Sequence, residues 1–133
     1  VVLGIVAGFS VPEAVIPRLG VSAHTIAMLS SALMMGIAAN WHVFTLGKTS
    51  KMMMHWGWVI SSYSNWMGTM AGALYGAHEL TPVAASFTAA AQGVAALAPA
   101  PPEAELAMAF LLKGVCMIST LVGLGLAFWG LRK

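Results

Sequence analysis

The sequence has very few charged residues, and this scarcity argues against a water-facing surface. Only 8% of the 133 residues are charged, whereas 59% are hydrophobic. Soluble domains usually carry about 25% charged residues. The formal net charge is only +2, and no basic cluster is interleaved with aromatic residues, so we expect no nucleic-acid partner. We predict a single transmembrane domain that covers residues 1–133.

Cysteine is almost absent as well. Cys116 is the only one in the sequence and lies in an apolar segment, which excludes a disulfide framework within the chain. The sequence also lacks the HExxH motif, the glycine-rich phosphate loop and the Ser/His/Asp order that mark common enzyme classes. We therefore expect no metal site and no familiar hydrolase chemistry.

Four apolar segments account for most of the chain. They cover residues 1–11, 22–46, 55–77 and 106–131. A membrane-spanning helix needs roughly 20 residues, so the last three segments are long enough to cross. The first is interpreted as a helix truncated at its N-terminus. The prediction is an all-α integral membrane bundle of four transmembrane helices, with a loop at 78–105 whose Ala-rich middle is typical of a short surface helix.

The charges are divided between the two ends of these helices. With four crossings, loop 47–54 and the C-terminus share one side, which holds Lys48, Lys51, Arg132 and Lys133. The positive-inside rule places that side in the cytoplasm, stroma or matrix. Because the sequence does not begin with Met, we expect an organelle membrane, thylakoid or inner mitochondrial, and otherwise a bacterial inner membrane.

Small residues recur at four-residue spacing in the predicted helices, which allows close helix packing in membranes. The third helix carries Gly68, Gly72 and Gly76, and the same spacing occurs in the first helix and at Ala32, Gly36 and Asn40 of the second. We predict that the third helix is central, with its polar stripe inside the bundle. That stripe serves either interhelical hydrogen bonds or a small polar substrate pocket.

Polar residues also cluster where the second helix is predicted to begin. Ser22 is a suitable N-cap, which would place His24 in the first turn, where the helix dipole disfavours a cation. One interpretation is a capped helix end with Arg18 reaching the headgroups. The other is a ligand or proton donor at the membrane edge. Lys113, inside the last helix, either reaches the acidic side of the membrane or has a functional role.

Several of these stretches together resemble the hydroxylaminobenzene mutase family of small membrane proteins. The resemblance rests on "LGIVAGFSVP", "PRLGVSAH", "YSNWMGTMAGALYGA", "LTPVAA" and "LAFWGLRK". It implies four membrane helices and a rearrangement of an aryl hydroxylamine to an aminophenol without a redox cofactor. It further implies His24 as the proton donor with Arg18 beside it, and a pocket lined by Tyr63, Asn65 and Trp66.

The chain departs from the family pattern next to His24. A carboxylate is expected two residues after Ser-Ala-His, but the chain has Thr25, Ile26 and Ala27. Lys113 also occupies a position where a small residue is expected. Because the most plausible acid is missing, we predict a non-catalytic structural subunit of a larger photosynthetic or respiratory membrane complex, with other integral membrane subunits as partners.

The two functional hypotheses use different residues. In a photosynthetic complex, chlorophyll or lipid would be the bound group, and the candidate ligands are Asn40, His42, His55 and His78. The alternative is a cofactor-free isomerase that rearranges an aryl hydroxylamine to an aminophenol. Its catalytic residues would be His24, Arg18, Tyr63 and Asn65, with Trp66 and Lys113 as binding residues.

Overall fold

The computed structural model describes residues 2–132, and this part of the chain is helical without a strand. Helix α1 (Val2–Ser10) continues into a 3-10 turn at Val11–Glu13. The remaining helices are α2 (Pro17–Ala39), α3 (Lys48–Tyr75), α4 (Pro82–Gln92) and α5 (Pro102–Gly130). The all-α prediction is confirmed.

Two helices, α2 and α5, are long and apolar enough to cross a membrane. Only 11% of the apolar window of α2 and 17% of that of α5 are buried within the chain, so most of their side chains face outward. Apolar surface of this extent needs lipid or another cover. Both helices are thus candidate membrane spans.

Helix α3 occupies the centre of the bundle, packed against both α2 and α5, while α1 packs on α2. Glycines allow the close approach. A Cβ atom on Gly57 would lie 3.0 Å from the backbone nitrogen of Gly123, and one on Gly68 would lie 2.8 Å from the Leu112 side chain. In contrast, Gly36 faces open space, so the predicted contact of the Ala32–Gly36–Asn40 spacing is not formed within residues 2–132.

The ends of α2 differ from the prediction. The helix begins at Pro17 rather than at residue 22, since proline is compatible with the first helical turn. Ser22 is inside the helix, where its hydroxyl donates a hydrogen bond to the Arg18 carbonyl at 3.0 Å. The helix ends at Ala39 rather than at residue 46, and a 3-10 turn follows at Trp41–Val43.

The other helices also start earlier than predicted. Helix α3 begins at Lys48 and includes most of the predicted loop 47–54. Hydropathy did not predict this start, because the first turn of the helix contains polar residues. Helix α5 begins at Pro102 and contains a π-helical segment, Phe110–Cys116. The predicted surface helix in loop 78–105 is present as α4.

The end of α3 is tied to the start of α5 by Glu105. Its carboxylate accepts hydrogen bonds from the backbone N–H groups of His78, at 2.7 Å, and Glu79, at 3.2 Å. Because these donors follow the left-handed Gly76 that terminates α3, the carboxylate fixes the chain reversal there.

Candidate functional site

A groove of about 340 Å³ opens between α1, α2 and α3, and it is called the main groove below. Its size falls within the range usual for small-molecule sites. The walls are mostly apolar, with several hydroxyl groups. The lining residues are Val2, Leu3, Ala27, Ser30, Ser31, Met34, Val59, Ser62, Tyr63 and Trp66.

Two aromatic residues on α3 form one wall of the main groove. Tyr63 and Trp66 are three residues apart and therefore lie on the same side of the helix. Tyr63 is about half exposed, at 52%. The indole nitrogen of Trp66 is buried and has no hydrogen-bond partner within residues 2–132, a cost of about 1–3 kcal/mol that ring packing must offset. Trp66 thus contributes a half-buried ring to the wall, and Tyr63 presents the accessible phenol.

His24 lies beside the main groove, two turns into α2 rather than in its first turn, so the helix-dipole argument does not apply to it. Its Nδ1–H donates a hydrogen bond to the Gly4 carbonyl of α1 at 2.7 Å. A Cβ atom on Gly8 would lie 3.1 Å from the same nitrogen. The groove-lining residue Leu3 neighbours Gly4, and Ala27 lies one turn beyond His24. The imidazole therefore joins the two helices that carry these walls.

Arg18 and Asn65 lie outside the lining of the main groove. The Arg18 guanidinium is stacked 4.1 Å from the centre of the Phe87 ring of α4, at a separate groove between α4 and the start of α2. The backbone carbonyl of Asn65 accepts a hydrogen bond from the Thr69 hydroxyl at 2.8 Å. The structure does not bring Arg18 next to His24 as the resemblance implied.

The remaining predicted ligands are dispersed over the molecule. The Asn40 amide donates to the Gly36 carbonyl, and the His78 Nδ1–H donates to the Gly76 carbonyl at 2.6 Å. His55 contacts Trp41 edge to face, with 6.3 Å between ring centres. The two other predicted ligands have exposed side chains. His42 lies in the turn after α2, and Lys113 lies in the π-helical segment.

Sequence reasoning missed the hydroxyl residues of α2 that line the main groove, Ser30 and Ser31. The signal for them was helical spacing. Starting from His24, positions 27 and 31 fall on the same face of a helix, so a face containing His24 includes Ser31 as well. Ser31 also donates a hydrogen bond to the Ala27 carbonyl at 2.8 Å.

The fold and the groove define a helical protein with two candidate membrane spans and an aromatic-walled site on its central helix. The chain belongs to the styrene oxide isomerase family, whose model matches residues 1–132. It is 30% identical to hydroxylaminobenzene mutase HabB of Ectopseudomonas oleovorans, over 98% of this chain and 74% of that protein. It is 33% identical to HabA of the same organism, over 62% of each chain. No solved structure matches significantly.

These relatives confirm the resemblance to the mutase family and overturn the main functional prediction. The prediction of a structural subunit in a photosynthetic or respiratory complex is wrong, because the family and both relatives are isomerases or mutases. The absence of a carboxylate near His24 therefore does not indicate a structural subunit. Pigment binding by Asn40, His42, His55 or His78 has no support once the photosynthetic interpretation is removed.

Proposed function

We propose that the chain is an isomerase that rearranges an aryl hydroxylamine to an aminophenol in the main groove. The observation that carries the proposal is the placement of Tyr63 and Trp66 in a groove beside His24, in a chain similar to two hydroxylaminobenzene mutases. Substrate and product are isomers, so the reaction requires no net oxidant or reductant.

The rearrangement poses two demands on the groove. The nitrogen–oxygen bond breaks as the oxygen gains a proton and leaves as water, and positive charge spreads over the ring. Water then adds to a ring carbon and releases a proton. That carbon loses its own proton and the nitrogen gains one, so the product is an isomer of the substrate. A hydrogen-bond donor placed at the oxygen lowers the first barrier. An aromatic face next to the cationic ring stabilises the second stage.

The lining residues can meet both demands. The half-exposed Tyr63 hydroxyl donates a hydrogen bond to the departing oxygen, and the Trp66 ring faces the charged intermediate. The hydroxyls of Ser30 and Ser62 hold the oxygen near the ring until it adds to carbon. The His24 Nδ1 proton is engaged by the Gly4 carbonyl, so we assign His24 a positioning role rather than that of the proton donor.

The direct test is conversion of phenylhydroxylamine by membranes from cells that express the chain. We expect aminophenol in chromatographic analysis, above the level given by membranes from cells with an empty vector. Equal yields from the two membranes would exclude the proposal.

An aryl epoxide is a second candidate substrate for the same groove. The observation that favours it is the match of the styrene oxide isomerase family model to residues 1–132. The two reactions make related demands on the groove. In the epoxide, the carbon–oxygen bond next to the aromatic ring breaks, the ring stabilises the positive charge, and a hydride shifts from the neighbouring carbon, which keeps the oxygen as a carbonyl, without net redox change. Parallel incubation with styrene oxide, with isomer formation as the readout, ranks the two substrates.

The proposed membrane arrangement follows the charges. We propose that α2, α3 and α5 cross the membrane and that α1 lies against α2 as the fourth membrane helix. Lys48, Lys51 and Arg132 would lie on the cytoplasmic side of a bacterial inner membrane. Reporter fusions after Gly47 and after Gly93 should report opposite sides; the same side for both would contradict this topology.

A further inference from the structure

A second groove follows directly after the main groove along the contact between α2 and α3. It encloses about 320 Å³ and is called the vestibule below. Its lining residues are Met34, Ile37, Ala38, Trp41, His55 and Trp58. Met34 lines both the vestibule and the main groove, so one flexible side chain separates two cavities of similar size.

The order of the lining residues places the two cavities end to end along α2 and α3. Helices α2 and α3 are antiparallel neighbours in the chain, and the lining positions advance on α2 as they retreat on α3. Ala27 and Trp66 line the main groove, whereas Trp41 and His55 line the vestibule, with Met34 between them. The vestibule therefore lies between the main groove and the end of the bundle that carries the α2–α3 turn.

The walls of the vestibule suit a small aromatic molecule with a polar substituent. The Trp41 and His55 rings meet edge to face, with 6.3 Å between their centres. Trp58 is held in place by α5, since a Cβ atom on Gly123 would lie 3.2 Å from its ring. Aromatic walls favour offset or edge-on packing of another ring. The imidazole of His55 adds a hydrogen-bonding group for an amine or hydroxyl substituent.

We propose that the vestibule is a second binding site for the aromatic reactant and product, connected to the main groove by displacement of Met34. Methionine suits this role because its unbranched thioether changes rotamer easily. The vestibule lies near Lys51, whose ammonium group is 5.9 Å from the centre of the Trp41 ring, so it opens at the charged end of the bundle. This inference rests on the proposed function for the identity of its ligand.

Binding is tested without catalysis by protection of an engineered thiol. In a full-length Cys116→Ala background, Ala38→Cys places one thiol in the vestibule, and aniline serves as the probe because it lacks the hydroxyl that rearranges. We expect aniline to slow N-ethylmaleimide labelling of this thiol at least threefold. The control is Met35→Cys, which is 62% exposed and lines neither groove; its labelling should not change.

The connection is tested by obstructing the path at Met34. Met34→Trp should lower kcat/KM for phenylhydroxylamine about tenfold or more while aniline still protects Ala38→Cys. Met35→Trp, which adds the same bulk on the outer face, should retain the wild-type value. An unchanged elution volume in gel filtration would show that the Met34→Trp variant is folded. Full activity of such a variant would overturn the proposed connection through Met34.

The outcomes separate this inference from the proposed function. Aminophenol formation without protection of Ala38→Cys would reject the vestibule and leave the main groove as the active site. Protection without aminophenol formation would retain an aromatic-amine site and reject the mutase activity. If aniline changes the labelling rate of neither Ala38→Cys nor Met35→Cys, the vestibule is rejected as a binding site, whether or not aminophenol is formed.

Discussion

The imidazole Nδ1 of His24 lies 2.7 Å from the carbonyl oxygen of Gly4, and this hydrogen bond joins α1 to α2 beside the main groove. The contact depends on two glycines, because a Cβ atom on Gly4 would lie 3.0 Å from Met28 and one on Gly8 would lie 3.1 Å from His24 itself. The family-like "SAH" sequence thus has a structural function here: it fixes the position of the helix that closes one side of the site.

Replacing His24 should loosen the contact between α1 and α2. His24→Leu removes a hydrogen bond that is worth about 1 kcal/mol and should lower the thermal midpoint in detergent, together with the rate of aminophenol formation. Thr25→Val is the matched control, because Thr25 is exposed and its hydroxyl donates a hydrogen bond to the Val21 carbonyl of its own helix. A His24→Leu variant as stable and active as the control would contradict the positioning role.

The contact between α3 and α5 should tolerate no added methyl group at Gly57. Gly57→Ala places a Cβ atom 3.0 Å from the Gly123 nitrogen and the Ser119 carbonyl oxygen, so the two backbones must separate, at a cost of about 1–3 kcal/mol. Gly36→Ala is the control, because it meets open space and also improves helix propensity. The midpoint of thermal unfolding should fall for Gly57→Ala alone; equal midpoints would argue against this packing.

The polar junction at the end of α3 should depend on Glu105. Glu105→Ala leaves the N–H groups of His78 and Glu79 without their charged acceptor, which should reduce the free energy of unfolding by about 1.5–3 kcal/mol. Glu103→Ala, on the same helical turn but exposed, should change it by less than about 0.5 kcal/mol. Denaturant titration in micelles measures the free energy of unfolding of the two variants. A similar decrease for both would show that the hydrogen bonds of Glu105 do not stabilise the fold.

These helix contacts illustrate what the sequence could predict of the fold. The spacing of Gly68 and Gly72 predicted a central third helix, because small residues at that interval permit close packing. The start of α2 was missed because Ser22 looks like a cap in sequence but bonds back into the helix instead. The π-helical segment around Lys113 was not predicted, since a change of backbone register leaves no distinctive residue pattern.

The phenol of Tyr63 should be needed for the rearrangement. Tyr63→Phe retains the ring but removes the hydroxyl from the main groove, and we expect the rate of aminophenol formation to fall about 100-fold, as when one donor to a developing charge is lost. Tyr75→Phe is the control, since Tyr75 is exposed at the end of α3 and lines neither groove. Equal rates for the two variants would remove Tyr63 from the mechanism.

The candidate site was only partly predictable. Tyr63 and Trp66 were anticipated because their motif resembles the mutase family, and the structure places both in the main groove. The family resemblance implied Arg18 beside His24, but six positions along a helix separate the two residues by more than one turn. Residues on opposite walls meet only through the packing of α2 on α3, which no local pattern specifies.

The measurement that tests the central claim most directly is the conversion of phenylhydroxylamine by membranes containing the wild-type chain, compared with membranes containing Tyr63→Phe at equal expression. The isomerase account predicts aminophenol from the wild type and about 100-fold less from the variant. No aminophenol from a wild-type chain present in the membrane would contradict the account, and equal yields from both would contradict the assignment of the active site to the main groove.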